Sequence, residues 1–161
     1  MVQTIYSGRS VTIRCAVALG MAALLAVPVA FAGLGDPVAT VARDHAELRG
    51  TALVVTPLQA YDRHEITTDD GTRVREYVSR AGTVFGVTFA GPSLPDLKVV
   101  LAGHYDEYTA AAAAARPGNH HVLVIDTPAL VVTVIKRPRG FSGSAHLPAL
   151  LPAGMTARDI R

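Results

Sequence analysis

The chain has 161 residues, half of them hydrophobic, with 15 basic and 13 acidic side chains and a single cysteine. Near-balanced charge gives no basic surface for nucleic acid or anionic lipid, and one cysteine cannot close an internal disulfide. The formal net charge of +2 is itself owed to residues 1–32, where Arg9 and Arg14 are the only charges.

In that segment an apolar run from Cys15 to Ala32 follows the two arginines. Ala30-Phe31-Ala32 ends it with small residues at both positions a signal peptidase reads. This order reads as a cleaved secretory signal over residues 1–32. Gly20 and Pro28 weaken the run as an anchor, so no stable membrane insertion is expected after cleavage. Cys15 precedes the run instead of ending it, which argues against a lipoprotein. The remainder, residues 33–161, holds 13 basic and 13 acidic residues and no cysteine. It is long enough for one hydrophobic core and carries no linker or repeat, so a single domain is expected.

Asp36-Pro37 with Val38, Val41, His45 and Leu48 spells a short N-terminal helix capped by Asp36 and stopped at Gly50. Thr51–Thr56 is a β-branched run ended by Pro57. Ala60–Thr68, Thr72–Ser79 and Thr83–Ala90 then form a meander. Its turns, Asp69-Asp70-Gly71 and Arg80-Ala81-Gly82, both place Gly third. That suits a three-residue hairpin with Gly in the left-handed region, because a two-residue Ala-Gly turn would force Ala81 to positive φ.

These turns predict the rows His64–Glu76, Glu65–Arg75 and Ile66–Val74 on the first hairpin. On the second they predict Glu76–Gly86, Tyr77–Phe85 and Arg75–Val87. Tyr61, Tyr77, Phe85, Val87 and Phe89 would then share one face with Glu65 and Arg75. His64, Ile66, Val74, Glu76, Val78 and Val84 would share the other.

Ser93-Leu94-Pro95-Asp96 has the form of a capped helix start, and one long helix is expected over Pro95–Ala115, stopped by Arg116-Pro117-Gly118. Gly103 inside it suggests close approach to the sheet. His121–Asp126 and Leu130–Ile135 are apolar on both faces, as inner strands are. Phe141–Leu147 alternates Ser142, Ser144 and His146 against apolar residues, a strand with one wet side, and Thr156–Ile160 reads as a terminal helical turn. The fold class is α+β: a single twisted antiparallel sheet with one long helix across it and a short N-terminal helix.

Val74-Arg75-Glu76-Tyr77-Val78-Ser79, Ala81-Gly82, Val84-Phe85, Gly91-Pro92 and Pro95-Asp96-Leu97 resemble the proteobacterial family called "domain of unknown function 2844". Tyr61 with His64-Glu65, and Leu150-Leu151-Pro152-Ala153-Gly154, extend the resemblance over nearly all of residues 33–161. Arg80, where the family pattern has Pro, and Thr88-Phe89, where it tends to an aromatic such as Trp, depart from it. The resemblance implies an exported envelope protein and brings no activity, cofactor or site residue.

The residues themselves offer two candidate sites. His64 facing Glu76 beside Gly86 is an acid/base arrangement in which the carboxylate would raise the histidine pKa. Its plainer reading is a structural polar pair. Arg73 and Arg75, with Arg63 and Tyr77, could form an anion-recognising patch. Metal ligation is weakly motivated. His120 and His121 are adjacent, so a strand would send them to opposite faces, and His104 with Asp106-Glu107 lacks chelating i, i+4 spacing. Ser142-Gly143-Ser144 lacks the Gly-x-Ser-x-Gly elbow.

With no catalytic signature and no cofactor motif, the leading expectation is a non-enzymatic binding module of the periplasm or exterior. Its partner would be another envelope protein or a small ligand. The alternatives are a small hydrolase-like enzyme using His64 and Glu76, and an assembly factor with a stable partner.

Overall fold

The computed structural model describes residues 33–115 and 121–160. The expected signal segment, residues 1–32, the expected Arg116-Pro117-Gly118 helix stop and His120 lie outside the described residues.

One antiparallel sheet of seven strands runs through the structure: β1 (Gly50–Pro57), β2 (Tyr61–Thr68), β3 (Arg73–Ser79), β4 (Val84–Gly91), β5 (Val122–Asp126), β6 (Val131–Arg137) and β7 (Gly140–His146). Their spatial order is β1-β2-β3-β4-β7-β6-β5. The chain thus builds half the sheet as a meander, crosses it with helices, and returns to add the other half from the outer edge inward. Helices α1 (Val41–Glu47), α2 (Leu97–Leu101) and α3 (Tyr105–Ala114) lie on one side, making an α+β fold. Ile66, Val74, Val78, Val84, Val87, Phe89, Val132 and Ala145 form the sheet side of the main core beneath them.

The first hairpin has the expected register: His64 pairs with Glu76, Glu65 with Arg75 and Ile66 with Val74. Gly71 supplies the left-handed residue at φ 85°. The second turn also closes as expected, with Ser79 N–H donating to the Thr83 carbonyl at 2.8 Å and Gly82 at φ 80°.

Beyond that turn the pairing differs. Val78 pairs with Val84, but Tyr77 pairs with Gly86, Glu76 with Val87 and Arg75 with Thr88. Phe85 is the extra residue of a β-bulge. It packs on the uncovered side against Tyr61 and Tyr77, at ring-centroid distances of 5.9 and 6.3 Å. Val87 and Phe89 therefore turn to the helix-covered side, and are not on the Tyr77 face. The physical reason is burial: adjacent Val84 and Phe85 both enter cores, and so do Val87 and Phe89, each worth about 1.5–3 kcal/mol.

The long helix is interrupted. A 3-10 turn, Ala102–His104, separates α2 from α3, and Ala102 adopts φ 46°. The Val100 carbonyl, which a continuous helix would offer to its own fourth residue on, accepts instead from Leu34 N–H at 3.1 Å. The segment entering from Gly33 thus takes over the helix's hydrogen bonding. Gly103 has open space around its Cβ position, so close approach to the sheet does not explain it. The α2 cap is Asp96, which accepts from Lys98 N–H at 2.8 Å, while Ser93 turns to Asp70 and Thr72. Asp36 likewise caps nothing: Pro37 precedes a 3-10 turn without a side-chain cap, and Arg49 at φ 53°, not Gly50, ends α1.

β5, expected inside, is an edge strand. Leu123 and Ile125 pack into the core, whereas Val122 and Val124 remain exposed on the other side. β7 keeps its expected polar side, with Ser142 and Ser144 on the uncovered face, but it is central in the sheet, and Gly143 shows how tightly. A Cβ there would come within 2.4 Å of both the Phe89 ring and the Thr133 carbonyl. Gly143→Ala should therefore destabilise by about 1–3 kcal/mol through overpacking. Gly103→Ala, with no neighbour to meet, should be neutral or slightly stabilising. Thermal melts of the two variants check this, and equal melting temperatures would contradict it.

Candidate functional site

The two faces of the sheet hold different chemistry. On the covered side, β2 and β3 present His64 and Glu76 toward α1. The α1 residues that face inward are Val41, Asp44 and Leu48, an i, i+3, i+7 stripe with an acid at its centre. Asp44 is 0% exposed and Glu76 1%. Asp44 Oδ1 and Oδ2 and Glu76 Oε2 are buried without a conventional hydrogen-bond partner, and what the two carboxyls face is each other.

Burial and their contact set their protonation. Desolvation pushes Asp44 up to about 7, with the facing Glu76 carboxyl opposing it, Glu47 and Asp36 adding to the rise, and Arg43 opposing it. Glu76 is raised well above the carboxylate range by burial first and by the Asp44 charge second. His64 does not behave as half of an acid/base pair. Its pKa is lowered by desolvation, opposed only by Asp62, so the expected rise from Glu76 is not seen. Gly86 is not beside Glu76 either. The bulge moves it opposite Tyr77, and Ile160 Cδ1 lies 2.9 Å from where its Cβ would be.

On the uncovered side, β3, β4, β7 and β6 line a hollow of about 280 Å³. Arg73 and Arg75 stand at one margin and Ile160 at another, with Thr88 of β4, Thr133 of β6, and Ser142 and Ser144 of β7 between. The register explains the row: Arg75 pairs with Thr88, Thr88 with Ser144 and Ser144 with Thr133. Arg75 Nε donates to Glu65 Oε2, which lowers the Glu65 pKa. Arg73 forms no salt bridge among the described residues, and the hydroxyls of Thr133, Ser142 and Ser144 make no hydrogen bond to them.

Of the proposed anion patch, Arg73 and Arg75 meet in this hollow, but Tyr77 and Arg63 do not join them. Tyr77 is 1% exposed, sealed in an aromatic cluster with Tyr61 and Phe85 under Ile160, and its hydroxyl lies 3.4 Å from Thr88 Oγ1. Arg63 Nε is buried without a hydrogen-bond partner. Ile160 is held over the face by a 3-10 turn whose Thr156 N–H and hydroxyl both donate to Asp159 Oδ2, at 2.7 and 2.9 Å.

A third polar group is structural. Asp70 accepts from Thr68 Oγ1 at 2.6 Å, from Thr72 N–H at 2.9 Å and from Ser93 Oγ, which holds its pKa far below the usual range. It ties the β2–β3 turn to the loop after β4. Among the described residues no three His, Cys, Asp or Glu are grouped to hold a metal ion, and no helix is long and apolar enough to cross a membrane.

Residues 30–160 match the family described as "Protein of unknown function (DUF2844)". The chain belongs to that family. No curated protein and no solved structure matches it.

In this family member the residue that sequence reasoning missed is Asp44. The stripe Val41, Asp44, Leu48 was readable, but His45 at the neighbouring position drew the reading away from it. His146 was also passed over. It is 7% exposed on β7, with its pKa lowered by burial against the pull of Asp126.

The carboxyl pair makes stability depend on pH in a set direction. The folded state binds these protons more tightly than the unfolded chain, so the penalty is absent below the ordinary carboxylate range. It grows as pH rises above about 4 and through the raised Asp44 value of about 7. Each pH unit in that window costs up to about 1.4 kcal/mol per group. Glu76→Gln should raise the melting temperature at pH 8 by several degrees while changing it little at pH 5. Parallel pH profiles for the variant and the parent would refute the assignment.

Proposed function

We propose that this chain is an exported, non-enzymatic binding module. Its uncovered sheet face would seat a small ligand with an anionic group and a short apolar body. The observation that carries the reading is a guanidinium, Arg73, that forms no salt bridge among the described residues and feels Glu65 only at longer range, at the edge of a hollow lined by three hydroxyls that bond to nothing else described. Such a site offers a charge-assisted hydrogen bond, several neutral ones, and apolar contact with Ile135 and Ile160. Arg75 adds positive potential but is already engaged by Glu65.

The enzyme alternative has less to work with. Glu76 is sealed beneath α1 against another acid, and His64 is held toward neutrality by burial. A general acid/base pair must reach a substrate proton, and this carboxyl reaches none from solvent. Export is supported by the Arg-flanked apolar leader and its Ala30-Phe31-Ala32 site.

Calorimetric titration of the protein purified from cells expressing the full chain tests the site. Hexanoate should bind, and hexanol, which has the same body without the charge, should not. Arg73→Ala should weaken hexanoate by about 10-fold or more, the worth of one hydrogen bond to a charged group, without altering the melting curve. Equal binding of both probes, or none of either, would remove the reading. Export is checked by cell fractionation with mass measurement: the protein should lie outside the cytoplasm and lack residues 1–32.

A further inference from the structure

β1 is an edge strand, and among the described residues nothing over its middle keeps another strand away. Natural edges are protected by charges, prolines or bulges. Between Arg49 and Asp62 there is no charged residue. The irregularity at Gly50/Ala52 and the proline at position 57 guard only the two ends. Between them Leu53, Val54 and Val55 are 39%, 56% and 51% exposed, a run of large apolar residues open on both faces.

The backbone of this run has a defined set of free groups. Leu58 N–H donates to the Tyr61 carbonyl, fixing which residues of β1 bond inward. By alternation Thr56, Val54 and Ala52 bond to β2, and the N–H and C=O of Val55 and Leu53 point out of the sheet. Pro57 also points outward but has no N–H to offer.

We propose that β1 is a self-association surface, on which a second copy of this chain pairs its own β1 in antiparallel fashion about a two-fold axis through Val54. In that register Leu53 lies opposite Val55 of the second copy and Val55 opposite its Leu53. All four outward N–H and C=O groups of each strand are then satisfied, and neither Pro57 enters the ladder. The side chains match as well. Leu53 and Val55 meet their counterparts on the covered side, and Ala52 meets Thr56 on the uncovered side, with Val54 against Val54 at the axis.

No other register centred in the run pairs the two outward residues only with each other. An axis at Leu53 would bring the Thr51 irregularity into the ladder, and an axis at Val55 would bring in Pro57. The charges beyond the run come as neutral ion pairs, Arg49–Asp69 at one end and Arg80–Asp62 at the other, so the antiparallel approach sets no like charges directly opposite. Both strands being the same segment, the contact is isologous and closes at two copies. The united sheet would have the two hollows on the same side.

Analytical ultracentrifugation of protein purified from cells expressing the full chain should find a dimer at about 100 μM, the range of a small edge-to-edge contact. Val54→Lys, which sets two like charges face to face at the axis, should leave only monomer with an unchanged melting curve. Val124→Lys on the opposite edge should leave the dimer intact. A second variant reads the register directly. In a Cys15→Ser background, Val54→Cys should form an intermolecular disulfide under mild oxidation, since directly opposed residues stand within disulfide range. Monomer at 100 μM, a dimer that survives Val54→Lys, loss of the dimer in Val124→Lys, an open-ended ladder of oligomers, or no cross-link from Val54→Cys would each overturn the proposal.

Discussion

The bulge at Phe85 decides which way everything after it faces. A strand has a period of two, so one extra residue exchanges the two sides of the sheet for all that follows in that ladder. Upstream of it the β2–β3 hairpin keeps its regular pairing. Downstream, Val87 and Phe89 drop into the core under the helices, while Gly86 and Thr88 come to the uncovered side. β7 takes its register from β4, and β6 from β7, so the row Thr88, Ser144, Thr133 is a consequence of that one residue. Removing the bulge while keeping the sequence would put phenyl and isopropyl groups where the hydroxyl-lined hollow now is.

The same device explains the division of labour between the faces. The covered side must accommodate three helices and holds most of the apolar mass. Its most deeply buried polar feature among the described residues, the pair Asp44 and Glu76, is carried by α1 and β3, with Arg43 the cation that opposes the Asp44 rise. Among the described residues the uncovered side is closed only at one end, where Phe85, Tyr77 and Tyr61 form a small second core with Ile160. Aromatic burial anchors the tail there, and the remainder of that face stays open and polar.

Much of this was legible in the residues. Asp69-Asp70-Gly71 fixed the first hairpin because Gly in third place leaves one economical turn, and Glu65–Arg75 and His64–Glu76 followed from counting. The second turn was equally readable, yet its register was not. Val84-Phe85-Gly86-Val87 places two large apolar residues side by side, and nothing local says which of them the strand will treat as extra. The helix break was not readable at all, because the group that takes the Val100 carbonyl is Leu34 N–H, far away along the chain. β5 alone was misplaced among the later strands, because Val122 and Val124 look like core residues and hydropathy does not record that β5 ends the sheet. Asp44 could have been found. An acid at the centre of an otherwise apolar helical stripe is an inconsistency, and inconsistencies of that kind mark places where a fold carries a cost.

That cost has a counterpart on the surface. Asp70 and Glu65 have lowered pKa values because hydroxyl, backbone and guanidinium donors favour their charged forms. Their stabilisation is present above the ordinary carboxylate range and is lost as pH falls through the lowered values. Asp44 and Glu76 act in the opposite sense, costing nothing in acid and progressively more as pH climbs toward about 7. The surface pair is open to solvent and screening, so its effect is small beside that of carboxyls taken out of water. The two sets together favour a mildly acidic optimum, with the decline on the neutral side governed by α1. Since α1 supplies one carboxyl and β3 the other, ionising the pair pushes that helix away from the sheet. A chain without a disulfide in residues 33–161 has no covalent tie to oppose the motion. The first element to loosen at raised pH is therefore α1, and the hollow on the far side of the sheet is insulated from it by the strands themselves.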